Sequence, residues 1–417
     1  MALLAAAACA GIAAAREGGA AATRFEVLAH ADPGVEYSAD VWGHRGHAYL
    51  SSHKGAASCP ASGVRIYDVR NPRKPRRVST FARIPGTWTE KTIVKRVATP
   101  AFTGDLAVAS VQACNVRSGG FQGFALFDVT RPASPRRLAL VRTDPRGSHE
   151  IWLAAARGRA WVYTAILASE LRDSPDGRRP GRPDFRIFDV TSPRRPRLVG
   201  GWGAWRTLGI HPAPTPRPQI DVNLVHSVIT DAQARRAYLS YWDLGTVVLD
   251  ISRPARPRFV GRTGDTQNAH SAAIRGSLLV QTHETEGGTP AFFDVSNPRR
   301  PRLLGRLELP ERLLAEGRRE RIGTVSGLSL ADSVHDAKLA GAIAYFSWYR
   351  QGIVAADVSD PAAPEVLARF LPPEAPDREK LFCPGEACTA FWGVYVMPNG
   401  VVLASDMLGG LWVLYLR

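Results

Sequence analysis

The chain has 417 residues, 45% of them apolar, which is ample for a full core. Only 22% are charged, and 38 glycines with 31 prolines call for frequent turns and exclude an architecture of long helices. The formal charge of +15 raises nucleic acid as a partner. Its arginines, however, recur in short, spaced linkers such as NPRKPRR (71–77), SPRRPR (192–197) and NPRRPR (297–302). Charge spread in this way describes a solvated rim rather than one basic groove, so nucleic acid is set aside as a partner.

The chain opens MALLAAAACAG, an apolar run far too short to span a bilayer. It reads as the tail of an export signal lacking its basic segment, with Cys9 as a lipid-attachment cysteine; an Ala-rich leader without that role is the alternative. Residues 1–23 are therefore set apart from 24–417. The next segment, TRFEVLAH (23–30), is a single strand with no partner nearby in sequence.

From residue 63 a unit repeats: GVRIYDVRNPRKPRRV (63–78), GFALFDVTRPASPRRL (123–138), FRIFDVTSPRRPRLV (185–199), GTVVLDISRPARPRFV (245–260), TPAFFDVSNPRRPRLL (289–304) and GIVAADVSDPAAPEVL (352–367). The recurring acid is Asp68, Asp128, Asp189, Asp250, Asp294 and Asp357. Residues before the Asp read as a buried strand, and the Asp itself as the acceptor of an Asx-type turn. Two prolines three residues apart stiffen the crossing to a further short strand. Two more strands precede the unit, HSVIT (226–230) and RAYLSYW (236–242) in the fourth copy, which makes four strands per unit and a propeller blade. Trp242-Asp243 is not repeated as a pair and is not the unit.

Longer inserts fall at 170–184 and 308–323, the second with leucines at helical spacing (Leu309, Leu313, Leu314). A last unit, Trp392–Met397, Val401–Ser405 and Leu411–Leu416, stops without a fourth strand, and residues 23–30 have the character of the missing one. The expectation is an all-β, seven-bladed propeller closed by an N-terminal strand in the last blade. The stretches FDVTSPRRPRLVG and VLDISRPARPRFVG resemble the LVIVD repeat of secreted or surface-attached bacterial and archaeal propellers. The resemblance implies that fold and an extracytoplasmic setting, and implies no reaction.

Aligning the blades puts one polar residue at the opening of each innermost strand: His149, His226, His270 and His335, with Asp40, Lys95 and Trp392 assigned to the remaining blades. Such residues converge on one rim of the central channel. Two readings compete: a packing and hydrogen-bonding device repeated between blades, or a site for an anion or a divalent transition metal. Seven inner strands hold a channel wide, so on the metal reading three rings from neighbouring blades could reach one ion, with Asp40 or a water, but not all four. A second set stands where the second strands end: His53, Trp242, Asp243, His283, Glu284, Trp348, Tyr349 and Asp406. Carboxylates and aromatics on a rim suit sugars, peptides or cations, whereas Asp243 and Asp406 also read as tight-turn residues.

Cys59 and Cys114 occupy corresponding loops of two successive units, and Cys383 and Cys388 bracket PGEA. Two disulfides and an oxidising compartment are expected, with reduced cytosolic thiols as the alternative. Nucleophile-elbow, phosphate-loop, dinucleotide and H-E-x-x-H motifs are absent from the sequence. The leading functional expectation is a monomeric extracytoplasmic binding or scaffolding module that engages a cell-surface protein or glycan through its loop face. The rival is a metal-dependent enzyme, an oxidoreductase, using the channel-rim histidines.

Overall fold

The computed structural model describes residues 23–417 apart from 33, 35, 55–58, 60–62, 116–119, 145, 213–222, 267, 286, 318–332, 381 and 384–386. The expected leader and Cys9 lie outside the described residues. Among the described residues seven antiparallel sheets stand in a ring, each with four principal strands, a to d from the axis outward. The inner strands are Ser38–His44, Thr92–Thr99, Glu150–Ala156, Ser227–Thr230, Ala269–Arg275, Val334–Ala340 and Phe391–Val396. Each packs on the next, and the seventh returns to the first.

The fourth blade shows how the sequence makes a sheet. Strand a (Ser227–Thr230) pairs with b (Arg236–Ser240), b with c (Thr246–Asp250), and c with d (Arg258–Arg262). Strand c is apolar on both faces (Val247, Val248 and Leu249 are fully buried) because neighbouring blades cover both sides. At its end Asp250 Oδ1 accepts the Ser252 N–H at 2.9 Å, the Asx turn expected from the sequence. Asp68, Asp128, Asp189, Asp294 and Asp357 accept the N–H two residues on in the same way.

Arginines from the rim pair with these acids, among them Arg136 with Asp128, Arg159 with Asp189 and Arg258 with Asp250, so the positive charge decorates the periphery. Successive blades also interlock here. A Cβ on Gly200, Gly261 or Gly305 of strand d would meet Pro254 O, Pro298 O or Pro361 O of the following blade's proline turn at 1.9, 2.4 and 2.7 Å. Only glycine lets the two backbones approach so closely.

The last blade closes as expected. Phe25–Ala31 is its strand d and pairs antiparallel with Gly410–Leu416. Its register shift between Val27 and Ala29 matches the shift in every other strand d, for example between Phe259 and Gly261. The N-terminal strand therefore has the bulged geometry of its six counterparts. The insert after the fifth blade forms a helix, Glu311–Gly317, with Leu313 and Leu314 packed on the core. A second short helix, Ala204–Leu208, and a small hairpin, Ala375–Pro376 with Ala387–Cys388, are additions that sequence periodicity does not reveal.

Both expected disulfides form. Cys59–Cys114 ties corresponding loops of the first and second blades at a Cα separation of 6.1 Å, and Cys383–Cys388 closes a loop before the seventh. They fit an oxidising, extracytoplasmic setting. No helix among the described residues is long and apolar enough to cross a membrane.

Candidate functional site

Strand pairing fixes which residues are equivalent at the head of each inner strand. In the sixth and seventh blades a register shift falls between Val334 and Asp336 and between Phe391 and Gly393, leaving His335 and Trp392 as the extra residues. In the fifth blade the shift spans His270 and Ser271, and in the first it spans Ala39 and Asp40. Such bulges turn two consecutive side chains toward one side. His149 and His226 occupy the same place one residue ahead of their strands, donating their N–H groups to Ala165 O and Ser240 O.

Two of the seven rim assignments are corrected by this register. Asp40 stands level with Asp336, not with His335: both carboxylates accept the N–H of the next residue, Val41 and Ala337. The histidine position in the first blade belongs to Ala39. In the second blade Lys91 pairs with Ser110 and opens the strand, so Glu90 is the histidine equivalent, and Lys95 lies four residues beyond Lys91, two pleat repeats further down. The rim therefore reads Ala39, Glu90, His149, His226, His270, His335 and Trp392.

The four histidines form a continuous arc. Ring centroids are 4.5 Å apart for His149 and His226, 4.0 Å for His226 and His270, and 4.3 Å for His270 and His335. His335 continues the arc against Trp392 at 4.0 Å. Three of the four rings are anchored through Nδ1: His226 to His270 O at 3.2 Å, His270 to His335 O at 2.6 Å, and His149 to Gln112 Oε1 at 3.2 Å. A backbone carbonyl can only accept, so Nδ1 carries the proton in His226 and His270, and Nε2 carries a lone pair. Burial pulls all four below the usual histidine range, His149 to about 3. At neutral pH they are neutral imidazoles.

The second set divides by the two-residue alternation of a strand. His53, Trp242, Glu284 and Tyr349 join the mouth. Glu284 Oε2 is 3.5 Å from His270 Nε2, and Tyr349 donates to Glu284 Oε1 at 2.6 Å. Trp242 is 5.1 Å from the His226 ring, and His53 edges Trp88 at 4.5 Å. Their sequence neighbours face the blade interior instead. His283 is fully buried between Gln281, Asp265 and Thr289, and Trp348 is part of an apolar core. Asp406 accepts the Leu408 and Ala390 N–H groups, and Asp243 lies in the turn 241–245, so both serve turns. Trp88, at the end of a two-residue extra strand, was not singled out from sequence.

These residues enclose a cavity of about 280 Å³ lined by His53, Trp88, Glu90, His149, His226, Trp242, His270, Glu284 and Trp392. Beneath it lies a charged layer. Lys91 Nζ sits 2.7 Å from Glu150 and 3.5 Å from Asp40, while Lys338 pairs with Asp336. Burial works against the Lys91 charge, but Glu150, Asp40 and Asp336 outweigh it and hold the ammonium above its usual range. Gly393 makes room for this layer, since a Cβ there would stand 2.1 Å from Asp40 Oδ1. At the opposite mouth Lys95 lies 4.2 Å over the Trp152 ring, beside a second cavity of about 380 Å³.

An LVIVD-repeat model matches residues 237–265, and a seven-bladed ring is consistent with LVIVD-repeat propellers. No curated protein matches the chain. Chains of solved structures that do match number 1104, so likeness in shape carries no functional argument. One is the crystal structure of Raptor from Chaetomium thermophilum, similar at a TM-score of 0.57 and 11% identity over 94% of this chain. This chain spans 29% of that protein's length, and the likeness is one of fold. A propeller carrying an LVIVD repeat suggests a binding or scaffold module.

Proposed function

We propose that the protein is an extracytoplasmic binding module, exported and held at the cell surface, whose partner inserts a ring-sized group into the histidine mouth of the channel. The partner is a surface protein or a glycan. One observation carries this reading: Trp88, Trp242 and Trp392 surround a cavity of about 280 Å³ that also exposes carboxylate and imidazole edges. That size is close to the lower limit for small-molecule sites. It suits a single sugar ring, stacked on indole and bonded through its hydroxyls, or one aromatic side chain of a protein. Titrating tryptophan fluorescence against envelope glycan fragments, and separately against purified surface proteins, distinguishes the two partners. Trp242→Ala should abolish whichever signal appears, and binding undiminished in that variant would move the ligand elsewhere. A second reading, a metal-dependent oxidoreductase, is favoured by the grouping of His226, His270 and Glu284.

A further inference from the structure

We infer that His226, His270 and Glu284 form a binding site for one divalent first-row transition ion at the floor of the mouth, beside His149. The inference shares that mouth with the proposed function and does not depend on it, because the ion needs no partner to bind.

Geometry comes first. One ligand atom from each of His226, His270 and Glu284 lies within 4.8 Å of the other two. Metal–nitrogen bonds of about 2.0–2.1 Å set tetrahedral ligands roughly 3.4 Å apart. His270 Nε2 and Glu284 Oε2 are 3.5 Å apart, and His149 Nε2 and His226 Nε2 are 3.0 Å apart. The His270–Glu284 spacing already matches what an ion requires, and His226, within 4.8 Å of both, would close on it by a movement of about an ångström.

The hydrogen bonding sets which nitrogens face the mouth. His226 and His270 each give the Nδ1 proton to a backbone carbonyl, so both Nε2 atoms offer lone pairs. His149 Nδ1 meets the Gln112 side-chain amide at 3.2 Å, and its Nε2 lies 3.0 Å from His226 Nε2, where an N–H···N bond joins the two rings. An ion bound by His226 Nε2 would take the place of that proton.

The surroundings are those of a metal centre. The Nδ1–H groups of His226 and His270 are each held by a carbonyl oxygen, which fixes the ring and raises the basicity of Nε2, and Tyr349 holds the carboxylate. Imidazole and carboxylate donors without thiolate select ions such as Zn²⁺, Cu²⁺, Ni²⁺ or Co²⁺ over Mg²⁺ or Ca²⁺. Carboxylates of the layer below, Glu150 and Asp40, offset the Lys91 charge so that it does not repel an ion above. The mouth supplies the entry path.

The test uses the full chain with its disulfides intact. Protein stripped with a strong chelator is offered Zn²⁺ or Co²⁺, desalted and analysed for metal. The expected result is one ion retained per chain, with cobalt d–d absorption and an X-ray absorption signature of two or more imidazoles. His226→Ala with His270→Ala should lose stoichiometric retention, and Tyr349→Phe should weaken Zn²⁺ binding roughly 10-fold. If the double variant fails to fold, the absorption measurement on the unaltered protein decides alone. No retained metal among Zn²⁺, Co²⁺, Ni²⁺ and Cu²⁺, a spectrum without imidazole, or unchanged retention in a folded double variant would each overturn the inference. Partner binding is read separately by fluorescence, so loss of one does not mimic loss of the other.

Discussion

The outer edge of each blade and its inner edge follow opposite rules. At the outer edge six aspartates accept the same backbone N–H in the same turn, whichever blade they occupy. At the inner edge the seven equivalent positions carry an alanine, a glutamate, four histidines and a tryptophan. The reason is geometric. Outer turns lie far apart, and each meets a near-identical environment, so one solution serves throughout. Inner residues meet one another, so each faces different neighbours and their differences make one composite surface. Repetition builds the frame, and departure from repetition builds the site.

The hardest blow to this contrast should come from the inner edge. Lys91→Met leaves Asp40 and Glu150 buried without their counter-charge, and removing one partner of a buried ionic group costs about 3–5 kcal/mol. Urea unfolding should show that loss, and a change below ~1 kcal/mol would mean the channel is wet enough to solvate the acids.

An acid between the two edges sharpens the contrast through pH. Asp184 accepts bonds from Glu170 N–H and Tyr241 O–H, and burial pushes its carboxyl up to about 7. Because the folded state holds this proton more tightly than the unfolded chain, stability falls as pH rises from about 4 to 7 and then levels off. Asp184→Asn removes that decline. Its stability relative to the parent should improve by roughly 2–3 kcal/mol between pH 5 and pH 8. Equal pH dependence in both proteins would show that Asp184 ionises freely.

The smallest effect belongs to the outer turn. Asp250 is the opposite case, held at about 2 by Ser252 and Arg258. Its contribution is present above pH 4 and fades as pH falls through 2. Asp250→Ala should cost about 1 kcal/mol at neutral pH, in keeping with one turn bond and an exposed ion pair. It should leave metal retention untouched. A larger loss would show that the six turns are coupled around the ring.

The contrast also explains what could be read from sequence. The strand, the Asp and the paired prolines recur because their surroundings recur, so blade number, turn type and closure by the segment 23–30, observed as the strand Phe25–Ala31, were all legible. The site was legible only in part. The histidines stand out by type, but a bulge adds one residue without leaving a mark in composition, which displaced Asp40 by one position from Ala39. In the second blade strand b runs twelve residues, Phe102–Ala113, and aligning its apolar stretch slid the register far enough to choose Lys95 over Glu90. A usable signal was present: adjacent ionisable residues open three inner strands, as Glu90-Lys91, His149-Glu150 and His335-Asp336. Glu284 approaches His270 because strands a and b of the fifth blade pair, Ala269 with His283, and it was legible only as a residue at a strand end, not as a partner of His270.

The seam in the last blade also determines how the ring would yield to force. Phe25 lies opposite Leu416, and Arg24 and Arg417 exchange backbone hydrogen bonds at the same end of the pair. Tension applied to residues 24 and 417 would therefore load the ladder one bond at a time from that end, peeling it like a zipper rather than shearing all its bonds together. The six other blades, each a continuous hairpin series, have no such starting point. The circle has one weak link under load, and it is the seam between the first strand and the last.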